Sequence, residues 1–195
     1  QLLEVHDTDH ILERLADFVA AVNYDTLPAA TIKAAKERIV DSVGCAIGAQ
    51  GCETAEIGKR VATLATSPRL AGRVLGSDEI YDGQSAAFIN SCLIRDLDFS
   101  DTYPGGHPSD ALGGLIAVAP ALGVTGCELI EAMVIAYEIF IRFQDAGQIS
   151  VKGWDNGFHI SIGTAAGIAK MMGCNREQIK HAIALTACAN MRSEE

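Results

Sequence analysis

Ile11-Leu12-Glu13-Arg14-Leu15-Ala16-Asp17-Phe18-Val19-Ala20-Ala21-Val22 sets the fold class. Its apolar residues Ile11, Leu12, Leu15, Phe18, Val19 and Val22 recur at helical spacing, with Glu13, Arg14 and Asp17 between them, so the segment is built as an amphipathic helix. The same period continues along the chain. Pro28 can open a second helix, since its missing N–H costs nothing in a first turn, and Ile32, Ala35, Ile39, Val43 and Ile47 predict that helix's buried stripe. Further helices are predicted over 54–66, 83–96, 110–122, 126–145, 160–172 and 176–190, while only Ala71-Gly72-Arg73-Val74-Leu75-Gly76 reads as extended. Gly123, Gly126 and Gly173 punctuate helix ends, where left-handed backbone favours glycine. The reading is all-α: one multi-helix domain over residues 1–195, with no internal repeat and no low-complexity linker.

Bulk properties narrow the class of partner. A chain of 195 residues with 49% hydrophobic and 21% charged residues has enough apolar material for a full core. A formal net charge of −10 argues against nucleic acid and against anionic membrane surfaces. The apolar stretch from Ala111 to Thr125 is too short for a bilayer and contains Pro120. Six cysteines lie scattered without a C-x-x-C pair, mostly among Ala, Ile and Leu, and are expected to be buried free thiols. With no signal-peptide pattern at the start, the expected location is the cytoplasm or, in a eukaryote, the mitochondrial matrix.

Chemistry concentrates in Arg95-Asp96-Leu97-Asp98-Phe99-Ser100-Asp101-Thr102-Tyr103-Pro104-Gly105-Gly106-His107-Pro108-Ser109-Asp110, which places four carboxylates, hydroxyl groups and an imidazole between two apolar helical stretches. Pro108 pushes His107 towards extended backbone, and Ser109 stands where an N-cap for a helix from Asp110 belongs. The free N–H groups of that first turn would then form an anion site beside His107. A second imidazole, His159, follows the Asn156-Gly157 turn, with Gly163, Ala165, Ala166 and Gly167 allowing a close approach. Two histidines and a carboxylate suit acid–base work, because imidazole titrates near operating pH. His181 reads as a packing residue among Ile179, Ile183 and Leu185. Gly51 and Gly58-Lys59-Arg60 do not have phosphate-loop spacing, and no metal-ligand spacing stands out.

The strings Asp41-Ser42-Val43-Gly44-Cys45, Leu97-Asp98-Phe99-Ser100-Asp101-Thr102, Gly106-His107-Pro108-Ser109-Asp110-Ala111-Leu112-Gly113-Gly114 and Gly157-Phe158-His159 resemble, in order, the signatures of the MmgE/PrpD family. That family includes 2-methylcitrate dehydratases and cis-aconitate decarboxylases, and the His107 to Gly114 run is closer to the dehydratases. The resemblance implies a large helical domain paired with a smaller α+β domain, the latter absent from this chain. The 1–195 domain is therefore expected to be incomplete at its C-terminal end, with lysine-bearing segments that help form the site lying outside it. It also implies metal-independent, cofactor-free chemistry on a small polycarboxylate. His107, His159 and Asp98 are the expected catalytic residues, and Thr102, Ser109 and Arg142 the expected substrate-binding residues. Asp96 and Asp101 read as solvated or capping charges. A homodimer is expected. Dehydration of 2-methylcitrate is the favoured activity, with cis-aconitate decarboxylation and a non-catalytic helical scaffold as the alternatives.

Overall fold

The computed structural model describes residues 10–68, 71–147 and 149–190. It shows eight α-helices among them and one small sheet: α1 (His10–Ala21), α2 (Ala29–Gly48), α3 (Glu53–Val61), β1 (Ala71–Arg73), β2 (Ile80–Asp82), α4 (Gly83–Arg95), α5 (Asp110–Leu122), α6 (Gly126–Ala146), α7 (Gly157–Met171) and α8 (Arg176–Asn190). The all-α expectation holds.

α6 is the central element because it is apolar around most of its circumference. Met133 and Tyr137 join a core with Ile89, Leu93, Leu112 and Leu115 of α4 and α5. Ile135 and Ile139 join a second core with Val19 of α1, Ile162 of α7, and Ile179 and Ile183 of α8. A capping box fixes its start, with the Thr125 hydroxyl and the Glu128 carboxylate each satisfying the other's backbone N–H. On α7, Gly163 and Gly167 lie against the Ala136 and Ala132 carbonyls, where an added Cβ would sit 2.6 and 2.7 Å from those oxygens. Four small residues thus let the two backbones meet. That contact decides where the α7 N-terminus, and therefore His159, is held.

Five local expectations are corrected. α3 stops at Val61 instead of reaching 66, because Thr63 to Ala65 turns extended and pairs with β2 through Asp82 N–H to the Thr63 carbonyl and Ala65 N–H to the Ile80 carbonyl. β1 and β2 then form an antiparallel hairpin, of which only the first strand was legible. The buried Asn90 amide fastens it to α4, accepting from Leu75 N–H at 2.9 Å and donating to the Arg73 carbonyl at 3.0 Å. On α2 the buried face is Ala35, Ser42, Cys45 and Ala46, leaving Ile47 65% exposed and Ile32, Ile39 and Val43 half-buried. α2 therefore turns small residues inward, and large ones stay at its margin. His181 is exposed, and among the cysteines only Cys45 is buried, with Cys127 and Cys188 exposed; all six are free thiols.

Candidate active site

The loop between α4 and α5 is folded by its own turns. Asp98 takes φ 55, a left-handed conformation that aspartate tolerates better than most residues. Tyr103 and Gly106 exchange backbone hydrogen bonds at 2.8 Å around Gly105, whose φ of 93 requires glycine. This turn docks on α6 and on the entry to α7. Tyr103 Oη donates to Asp145 at 2.6 Å, and Gln144 Nε2 donates to the Gly105 carbonyl at 3.4 Å. Gly106 lies flat against Asn156, where a Cβ would stand 1.8 Å from Nδ2. The loop bearing His107 and the turn preceding His159 are therefore in direct contact.

His107 is fixed by one ring nitrogen. Its Nδ1 lies 2.7 Å from the Asp101 carbonyl oxygen. A carbonyl can only accept, so Nδ1 carries the hydrogen, and in the neutral ring Nε2 keeps its lone pair. Nε2 faces Asp98 at 3.9 Å, too far for a hydrogen bond. Asp98 is instead held by Arg95 Nη1 at 2.8 Å, and the same guanidinium approaches Asp110 Oδ1 through Nε at 3.2 Å, though without hydrogen-bond alignment. Burial pushes the Asp110 carboxyl up to about 6, against the pull of Arg95 and His107.

Of the two expectations for Asp101, solvated or capping, the structure shows the capping one. Its side chain is 10% exposed, meets Arg38 of α2 at 3.6 Å, and accepts the Ser109 N–H at 3.0 Å. That bond alters the α5 N-terminus. Ser109 has helical dihedrals and makes no side-chain cap, and the Asp110, Ala111 and Leu112 N–H groups bond to the His107, Pro108 and Ser109 carbonyls. The anion site expected there is filled by the chain's own groups. Ser109 is fully buried, so it faces no open cleft.

His159 lies in the first turn of α7, 3% exposed, its ring stacked on Phe143 at 5.0 Å and tilted against Phe158 at 5.6 Å. Burial pushes its pKa below the usual imidazole value. Thr102 is exposed and makes no hydrogen bond among the described residues. Arg142 is 78% exposed on α6, paired with Glu138 one turn away at 3.1 Å, and stands near Tyr103 of the loop.

Buried polar atoms without partners gather around this loop. Ser42 Oγ, Ser100 Oγ, Ser109 Oγ, Asp110 Oδ1 and Tyr137 Oη are five of them, and Gln144 Oε1 and His159 Nδ1 are the others found. Each belongs to the loop or to a helix that packs beside it. Native chains leave few such groups unpaired away from functional sites. Burial, with Asp101 alongside, pushes the Tyr137 hydroxyl far up, so it stays protonated. Arg38, Arg95, Asp110 and Tyr137 had no assigned role from the sequence. Arg38 carried one usable signal: it stands three residues after Ala35 and four before Ser42, at the edge of a buried face. No group of three or more His, Cys, Asp or Glu among the described residues is arranged to hold a metal ion. A cleft of about 410 Å³ between the hairpin and the end of α5, lined by Arg73, Ile80 and Pro120, contains none of the residues above.

Known proteins match the chain along nearly all of its length. The MmgE/PrpD N-terminal domain matches residues 13–193. A 2-methylcitrate dehydratase of Cupriavidus necator is 27% identical over 199 residues, covering 92% of this chain and 39% of that protein. The 2-methylcitrate dehydratase of Escherichia coli K12 is 28% identical, covering 91% and 39%. A probable 2-methylcitrate dehydratase of Saccharomyces cerevisiae is 28% identical, covering 94% and 38%. The chain thus spans about two-fifths of the length of these relatives. With the domain match running from α1 to beyond α8 and through both histidine segments, the chain belongs to the MmgE/PrpD family.

Proposed function

We propose that this chain forms part of a hydro-lyase that removes water from a small tricarboxylate such as 2-methylcitrate, giving 2-methyl-cis-aconitate, with His107 and His159 as its acid–base pair. The observation that carries the proposal is the His107 ring: Nδ1 is anchored to the Asp101 carbonyl, and Nε2 is left without a hydrogen bond. The names of the relatives support the substrate class. In the elimination, Nε2 of His107 takes the proton from the carbon beside a carboxylate. A C=C bond forms as the C–O bond of the neighbouring carbon breaks, and the departing hydroxyl leaves as water after receiving a proton. His159 supplies that proton. Its burial favours the neutral ring, and a substrate carboxylate brought alongside would favour the charged, donating form. Asp98 and Thr102 would orient the substrate hydroxyl. No cofactor or metal takes a step.

Arg38 and Arg95, with Arg142 near Tyr103, are cations beside the loop among the described residues, and each already faces a carboxylate. Further positive charge is therefore needed to hold a tricarboxylate against a net charge of −10. We place the protein in the cytoplasm or mitochondrial matrix, in keeping with a relative named as mitochondrial in Yarrowia lipolytica. No helix among the described residues is long and apolar enough to cross a membrane.

The test incubates the full-length gene product with 2-methylcitrate and, separately, with cis-aconitate, following the new C=C absorbance and CO₂ release. Unsaturated product without CO₂ is expected. CO₂ from cis-aconitate with no water loss from 2-methylcitrate would replace dehydration with decarboxylation, and inertness towards both would leave a scaffold.

A further inference from the structure

Asp101 holds the site loop at two points. Its main-chain carbonyl oxygen lies 2.7 Å from Nδ1 of His107, and its side-chain Oδ1 accepts the Ser109 N–H at 3.0 Å. The two ties reach the residues on either side of Pro108. As a cap for α5 the side chain would need one oxygen and no cation. Here the carboxylate is only 10% exposed, and its Oδ2 meets Arg38 of α2 at 3.6 Å. The Tyr137 hydroxyl of α6 adjoins the same group. Both oxygens are thus engaged, from different elements. The peptide that carries the Asp101 carbonyl can rotate only through its flanking φ and ψ angles. On one side the engaged carboxylate restrains it, and on the other the Tyr103–Gly106 pair at 2.8 Å. A carbonyl restrained on both sides keeps its direction.

We propose that Asp101 is a positioning residue for His107: its carboxylate, held by the Ser109 N–H and by Arg38, aims its own main-chain carbonyl at Nδ1–H and so leaves Nε2 as the nitrogen free to react. This rests on the acid–base reading of His107, although the tautomer exists whether or not the protein turns over. Which imidazole nitrogen carries the hydrogen is set by the partner of the other, so the direction of one carbonyl selects the reacting nitrogen. Asp101 acts through the imidazole, and Arg38 acts through Asp101. Without the side chain, the N–H of the fully buried Ser109 loses its acceptor and the Asp101–Thr102 peptide is free to turn. His107 would then also populate the Nε2–H form. Its lone pair would lie on Nδ1, the nitrogen turned towards residue 101 and away from Asp98.

The experiment labels the histidines of the full-length protein with ¹⁵N and reads the two ring-nitrogen shifts of His107 by NMR, at a pH where the ring is neutral. The unsubstituted protein should show the Nδ1–H tautomer; a ring held as Nε2–H overturns the proposal without requiring any variant to fold. Asp101→Ala should raise the Nε2–H population by roughly three- to tenfold, the worth of one hydrogen bond. Arg38→Gln, at a half-exposed site that leaves the Ser109 bond in place, should move it the same way by less. Asp101→Asn keeps an oxygen for the Ser109 N–H and should restore most of the original tautomer. An unchanged tautomer in Asp101→Ala, or in Arg38→Gln if the first variant does not fold, would leave Asp101 as a helix cap and nothing more. Where turnover is measurable, Asp101→Ala should lower kcat with KM nearly unchanged, because the substrate still binds while the base presents the wrong nitrogen. If the protein turns over neither proposed substrate, the catalytic reading fails while the tautomer still decides the positioning.

Discussion

Replacing His107 with Gln keeps approximate size and an N–H donor for the Asp101 carbonyl but removes the Nε2 lone pair. In the full-length enzyme this change, and His159→Gln likewise, should lower kcat by about 10²–10⁴-fold, the usual worth of an acid–base group. Steady-state kinetics on both variants checks it, and near-normal turnover in the pair would remove them from the mechanism. His159 also makes a prediction about stability. Its pKa is depressed in the folded chain, so the unfolded chain binds the proton more readily below about 6.5. The stability from its neutral burial is present above that pH and is lost as pH falls. Asp110 acts in the opposite sense, because its raised pKa adds stability in acid that is lost as pH rises through about 6. The two overlap, so the informative measurement is the difference in Tm between His159→Gln and the unsubstituted chain from pH 7 to pH 5. The gap should narrow as the pH falls, and a constant gap would contradict the buried-imidazole account.

At the scale of elements, the α6–α7 contact depends on glycine in a way that the α2 surface does not. A Cβ at Gly163 would stand 2.6 Å from the Ala136 carbonyl oxygen, which is backbone and cannot rotate away. Gly163→Ala should therefore force the helices apart and cost about 1–3 kcal/mol, seen as a lower Tm. Because α7 also holds His159, activity should fall with it. Gly44→Ala is the contrast: nothing lies within 4 Å of the added Cβ, and the residue is in mid-helix on α2. There the change should stabilise by about 0.5–1 kcal/mol through helix propensity. Equal effects at the two positions would show that the contact is looser than drawn.

For the whole molecule, the apolar residues left in water are the informative feature. Val40 and Ile47 on α2 are 72% and 65% exposed, Phe99 on the site loop 78%, and Leu185 on α8 71%. Val40 and Ile47 stand two turns apart on one side of α2, and apolar exposure of that kind promotes association. The 195-residue chain by itself should therefore self-associate with rising concentration, as sedimentation velocity would reveal, and should turn over no tricarboxylate. The full-length protein should be a homodimer whose activity survives chelation by EDTA. A monodisperse, active 195-residue chain would show that the site is complete within it.

Periodicity was enough for α1, α4, α5, α6, α7 and α8, because an amphipathic or all-apolar helix writes its partners into the spacing of its own residues. The histidine-bearing segments were legible for a similar reason: Pro108 and the Asn156-Gly157 turn announce loop-to-helix junctions locally. The hairpin partner of β1 was hidden, since two three-residue strands carry too few alternations to be read. What the first turn of α5 binds was also hidden, because its donors are taken by Asp101 and by local carbonyls, and only the folded loop brings that carboxylate there. Arg38 and Asp101 lie on elements 63 residues apart in numbering, and Arg95 and Asp110 stand at opposite ends of one loop. The sequence by itself determined the helical class and the chemical residue types. Tertiary structure alone decided which charges face which histidine, because Coulomb interactions act through distance in space and not along the chain.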